Sequence, residues 1–170
     1  MPGSGEALRA VTALFMRLPS SERDLTELES HVADLTEKKI TLPALQAVLV
    51  EHSDEGERAA TALLDVCFAL RNRHLASTFA TTLFQCLSLT HVERVFVHFK
   101  RRYERVRGAV VGGDPNLAVT RMVNTLLQSL RCASVPRHEL AGDALCFLAR
   151  VVPCADRDSD PGWSLLLIAD

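Results

Sequence analysis

Apolar residues recur along this chain with the period of an α-helix, most regularly in Asp114–Pro153. Val119, Met122, Val123, Leu126, Leu127 and Leu130 follow the i, i+3, i+4, i+7 spacing of one helix face. A second series, Leu140, Ala141, Ala144, Leu145, Leu148 and Ala149, follows a short turn at Ser134-Val135-Pro136. Asp114 is placed to cap the first of these helices, with Pro115 at its first helical position. Pro153 closes the second. The pattern predicts two amphipathic helices back to back.

The same period runs through the rest of the chain. Glu6–Leu18 reads as a short helix ended near Pro19. Ser21 followed by Asp24 resembles a capping box, and Leu25, Leu28, Val32 and Leu35 carry helical spacing from there to about Lys38. Thr41 and Pro43 open a helix that buries Leu45, Val48 and Leu49. Ser53, Glu55 and Glu57 start the next, since acids suit the positive end of the helix dipole. Leu63, Leu64, Val66, Cys67 and Leu70 carry it to about Arg73. Leu75–Leu87 is apolar on most sides and Thr-rich; it reads as a buried helix, with a strand as the alternative. Thr90 and Glu93 form a T-x-x-E capping box for a helix presenting Val92, Val95, Phe96, Phe99, Tyr103 and Val106 on one face. Gly108–Gly113 interrupts the pattern.

The fold expected is all-α: an irregular HEAT-like stack of about eight antiparallel helices, forming a single domain over residues 1–153. No Asn-Gly signal joins alternating runs into a hairpin. Helix pairs recur roughly every 40 residues without a shared motif, so a regular repeat array is not predicted. Residues 154–170 read as a tail, acidic through Asp160 and then apolar from Trp163 to Ile168, the start of a further region.

Composition narrows the function. The chain has 170 residues, 48% of them hydrophobic, which is enough to build a core and excludes disorder throughout. Its formal charge is −2, so the molecule as a whole is not a polyanion binder. Five cysteines, Cys67, Cys86, Cys132, Cys146 and Cys154, include no C-x-x-C pair. Several sit among apolar neighbours, as expected of free thiols in a reducing compartment. Met1–Ala10 lacks the basic start and apolar run of a signal peptide, and no run of about 18 apolar residues exists to span a membrane.

The chemistry-bearing residues do not assemble into a known catalytic or metal signature. His91 and His98 are seven apart and share a helix face, but H-E-x-x-H spacing is missing, so no metal is expected. No G-x-S-x-G and no small-residue turn precedes a cysteine, so no catalytic residue is assigned, and a Cys-based hydrolase is the least implausible enzyme. Gly108, Gly112 and Gly113 fit neither phosphate-binding glycine motif and read as a plain loop. Asp156, Asp158 and Asp160 alternate as calcium ligands do, without the central Gly and distal Glu of an EF-hand. Glu27 and Asp34 read as a solvated face. No cofactor is expected.

One segment rises above this background. Lys100, Arg101, Arg102, Arg105 and Arg107 stand on a helix whose apolar members Phe99, Tyr103 and Val106 face inward, so the cations are expected to project outward. They are the candidate nucleic-acid-binding residues. The plainer reading is a solvated helix C-terminus, where cations gain from the dipole.

Residues 79–153 resemble the N-terminal helical region of the THO complex subunit 1 family. The pieces come in the family's order. LFQCLSL at Leu83–Leu89 resembles a helix running into a Cys-Leu-x-Leu turn. VERVFVHFK at Val92–Lys100 resembles a helix with paired phenylalanines. TRMVNTLLQSL at Thr120–Leu130 resembles Leu-Arg-Met-x-Asn-x-Leu-Leu-x-x-Leu, and CFLARVVP at Cys146–Pro153 resembles Phe-Leu-Ala-Arg-Leu-Phe-Pro. Residues 1–78 match loosely, and family members are several times longer. The resemblance implies a non-enzymatic nuclear scaffold of the THO/TREX assembly, which couples transcription to messenger-RNA processing and export. It implies partners chiefly in the THO subunit 2 family, weak or indirect RNA or DNA contact, no membrane and no small-molecule substrate. Asn124 and Arg150 are polar groups beside core positions, expected to hydrogen-bond helix ends or the inter-helix turn, or else to lie exposed at a partner surface. Arg121, Asn124, Arg150, Trp163 and Leu166 are the candidate partner-binding residues. Trp163, Leu165, Leu166 and Leu167 are expected either to fold back or to dock.

Overall fold

A computed structural model describes residues 4–17, 40–106, 115–133 and 137–152. Those residues are all-helical and contain no strand. The elements are α1 (Ser4–Arg17), α2 (Leu42–Glu51), a 3-10 turn (Ser53–Glu55), α3 (Glu57–Ala69), α4 (Arg73–Cys86), α5 (Leu89–Arg105), α6 (Pro115–Arg131) and α7 (His138–Val151). Among the described residues there are therefore seven α-helices. The further helix expected between Ser21 and Lys38 lies outside them, as does the tail from residue 154.

The core forms around α3, in which every residue from Ala62 to Ala69 is buried. It meets α1, α2, α4 and α5. The most extensive helix-on-helix packing is α4 against α6, and α7 packs on α6. Alanines along α4, Ala76 and Ala80, are fully buried, as are Val119, Met122 and Leu126 on α6. Small residues on one side let the larger side chains of the other fill the space without voids.

An aromatic cluster ties α3, α5 and α7 together. Phe68 lies 5.3 Å from Phe99 by ring centroids, and Phe147 stands 5.8 Å from Phe96, 6.1 Å from Phe99 and 5.6 Å from Tyr103. All three Phe147 contacts are edge-on, the arrangement favoured by ring quadrupoles.

Several local expectations are corrected by the backbone. α3 stops at Ala69, not near Arg73, because Arg71 adopts a left-handed φ of 53°. The Asn72 amide donates to the Cys67 carbonyl and the Arg71 amide to that of Phe68, which together make a Schellman ending. Asn72 then caps α4, its side chain accepting from the Leu75 amide at 2.8 Å. α4 is a helix throughout, since Thr78 and Thr81 satisfy their hydroxyls on the carbonyls of His74 and Ser77. α5 begins two residues before the expected capping box: Ser88 is its N-cap, and Glu93 accepts from Arg137 at 2.8 Å. On α7 the apolar series is rotated. Leu140, Ala144 and Phe147 are buried, whereas Leu145 and Ala149 are exposed.

Candidate partner interface

The basic segment is built on α5, whose apolar stripe decides where each cation points. Val92, Val95, Phe96, Phe99 and Tyr103 are buried as the period predicts. Arg102 sits at the flank of that stripe and is buried too, which corrects its expected outward placement. Its Nε donates to Asp65 Oδ1 at 2.9 Å and its Nη2 to Oδ2 at 3.2 Å, a two-pronged pair between α5 and α3. His98 Nε2 stands 2.7 Å from the same Oδ1. Lys100 is also withdrawn. It pairs with Asp143 of α7, and its ammonium lies 5.3 Å from the Phe96 ring centre. Arg101 and Arg105 are exposed, one helical turn apart. Arg107 lies outside the described residues. Of the four described cations, two are engaged inside the molecule.

The residues singled out on the last two helices point the other way. Arg121 is exposed and Asn124 is half-buried, three positions apart on α6 and so on neighbouring parts of its surface. Among the described residues no carboxylate pairs with Arg121. Arg150 is exposed and meets Glu104 of α5 at 3.2 Å, not a helix end or the turn before α7. Both partners are well solvated, so that pair contributes at most about 1 kcal/mol. Trp163 and Leu166 lie outside the described residues.

Two residues that carry inter-helix polar contacts were not read from the sequence. Asp65 is a lone charge in the apolar run Ala62–Leu70, and an isolated carboxylate there requires a buried partner. Arg73, in the first turn of α4, donates through Nη2 to the Tyr103 carbonyl at 3.3 Å and to that of Val106, satisfying the end of α5. Its guanidinium lies 4.6 Å from the centre of the Tyr103 ring.

The remaining chemistry disperses. His91 bonds with the Ser88 hydroxyl at 3.0 Å and His98 with Asp65, so the two serve different local contacts. Among the described residues no three His, Cys, Asp or Glu side chains converge as metal ligands would. Cys67 is fully buried, and burial reinforced by the Asp65 charge pushes its thiol up, which holds it protonated and inert. Cys86, Cys132 and Cys146 are exposed; Cys154 and the carboxylates Glu27, Asp34, Asp156, Asp158 and Asp160 lie outside the described residues. No described helix is long and apolar enough to cross a membrane.

What the arrangement offers is outer helix surface: a partly covered apolar stripe on α7, and the exposed Arg121 beside the half-buried Asn124 on α6. Comparison of the chain with protein-family models, curated proteins and solved structures finds no match.

Proposed function

We propose that this chain is a non-enzymatic scaffold segment, a HEAT-like helical stack acting by protein–protein contact in a nuclear THO/TREX-type assembly. Its main partner is then a large helical subunit of the THO subunit 2 family. One observation carries the reading. Of the four pieces that resemble the THO complex subunit 1 family, residues 83–86 lie on α4, 92–100 on α5, 120–130 on α6 and 146–151 on α7, four consecutive helices. Their apolar members Leu83, Phe96, Met122, Leu126 and Phe147 are buried in the common core. Their polar members Arg121 and Arg150 lie on its outside, with Asn124 half-covered beside them. Helices arranged this way offer ridges and grooves to a partner helix.

Co-expression with a THO subunit 2 family protein tests this. The two chains are expected to elute together in size-exclusion chromatography. Arg121→Glu with Asn124→Ala is expected to separate them while leaving the far-ultraviolet circular dichroism unchanged. Separate elution of the unaltered chains removes the THO reading.

The nucleic-acid reading is the weaker one. With Arg102 and Lys100 engaged internally, Arg101 and Arg105 are the described cations left on that segment. Two phosphate contacts give a salt slope of only about −2, far below that of a dedicated binder.

A further inference from the structure

The outer side of α7 is apolar and only partly covered. Ala141, Leu145, Leu148 and Val152 recur at i, i+4, i+7 and i+11, which places them in one stripe about 16 Å long. Leu145 is 47% exposed, and Ala141, Leu148 and Val152 are half-buried at the edge of the core. Gly142 and Ala149 flank the stripe and are exposed. A Cβ built on Gly142 would meet nothing within 4 Å, so the space above the start of the stripe is open. None of these six residues carries charge.

We propose that this stripe is the seat of the chain's own segment Trp163–Ile168. That segment supplies Trp163, Leu165, Leu166, Leu167 and Ile168, and no charged residue occurs from Pro161 to Ala169. An uncharged seat suits an uncharged occupant, because a charged one would lose hydration without a partner. Reach is sufficient. Ten residues separate Val152, at the end of the stripe, from Trp163. Extended, they span up to about 35 Å, roughly twice the stripe's length. Tethering removes most of the translational cost that a separate occupant, whether a second copy or another protein, has to meet. The inference stands whether or not the THO reading does, and it leaves Arg121 and Asn124 free for a partner.

Trp163 is the single tryptophan, so the 170-residue chain reports on its own segment Trp163–Ile168. Its native fluorescence is expected to be blue-shifted and shielded from acrylamide relative to the urea-unfolded chain, equally so on dilution. Leu145→Asp with Ala149→Asp, both on exposed positions, should move emission and quenching to the unfolded values with the circular dichroism unchanged. In a second measurement, Trp163→Ser with Leu166→Ser should speed amide exchange along α7 and leave α2–α4 unaffected. Three results overturn the proposal. They are a Trp163 as accessible in the native chain as in urea, shielding indifferent to the α7 substitutions, and shielding lost on dilution, which would make the occupant a second copy.

Discussion

Asp65→Asn isolates the polar link between α3 and α5. The native carboxylate sits 2.9 Å from Arg102 Nε and 2.7 Å from His98 Nε2, and both Asp65 and Arg102 are buried. Unit charges at that separation attract by about 6 kcal/mol at an effective dielectric of about 20. Most of this offsets the desolvation of the two ions, so the intact pair contributes little net stability. Breaking it is different. The amide keeps the shape and one acceptor but takes the Asp65 charge away from the buried Arg102 guanidinium, which costs about 3–5 kcal/mol. Against a total stability of about 5–15 kcal/mol, that is a large fraction. Arg102→Met should cost less, because Asp65 keeps His98 as a donor. Asp65→Leu combined with Arg102→Met should recover much of the loss, since both charges then leave the apolar interior. Urea unfolding followed by circular dichroism measures these costs, and Asp65→Leu alone closes the double-mutant cycle with Arg102→Met and the double variant. A cost below about 1 kcal/mol for Asp65→Asn would refute the reasoning, because that is the range of a solvated pair.

Three further outcomes follow from the packing. Phe147→Ala removes a fully buried ring that touches Phe96, Phe99 and Tyr103, and should cost about 3–5 kcal/mol in the same urea assay. Arg71→Gly relieves a left-handed backbone at the end of α3 and should raise stability by up to about 1 kcal/mol, read as a higher urea midpoint at unchanged slope. Burial holds the Tyr103 phenol above its ordinary value, against the opposing pull of the Arg73 charge. The unfolded chain therefore releases that proton first, so the contribution is intact below about pH 10 and is lost as pH rises above it. Because Tyr103 is the only tyrosine, ultraviolet difference absorbance follows this ionisation directly, and native titration at or below the unfolded value contradicts it.

The helical period made the inward face of most described helices legible but not what that face meets. On α5 it placed Val92, Val95, Phe96, Phe99, Tyr103 and Val106 inside, and all six are buried. On α6 Val119, Met122, Val123, Leu126 and Leu130 are likewise buried. On α7, where apolar residues cover more than half of the circumference, it held for Leu140 and Ala144 and failed for Leu145 and Ala149. Leu145 and Ala149 fit the period as well as Phe147 does, and only the aromatic pocket made by α5 selects Phe147. Helix ends were legible where a breaker stands, as at Pro115, and illegible where an ordinary residue takes the role of glycine, as Arg71 does. The basic segment shows the deeper limit. Arg102 adjoins the apolar stripe, so period alone leaves it on the boundary between core and solvent. Its placement is decided by Asp65, 37 positions earlier, a residue that the apolar run around it should have marked as needing a cation. Two anomalies, a carboxylate inside one greasy helix and a guanidinium beside the stripe of another, solve each other only when α3 and α5 are neighbours. A charge set in an apolar run is thus evidence about helix pairing as well as about surface, and at Asp65 it points to the element that removes Arg102 from the candidate phosphate-binding face.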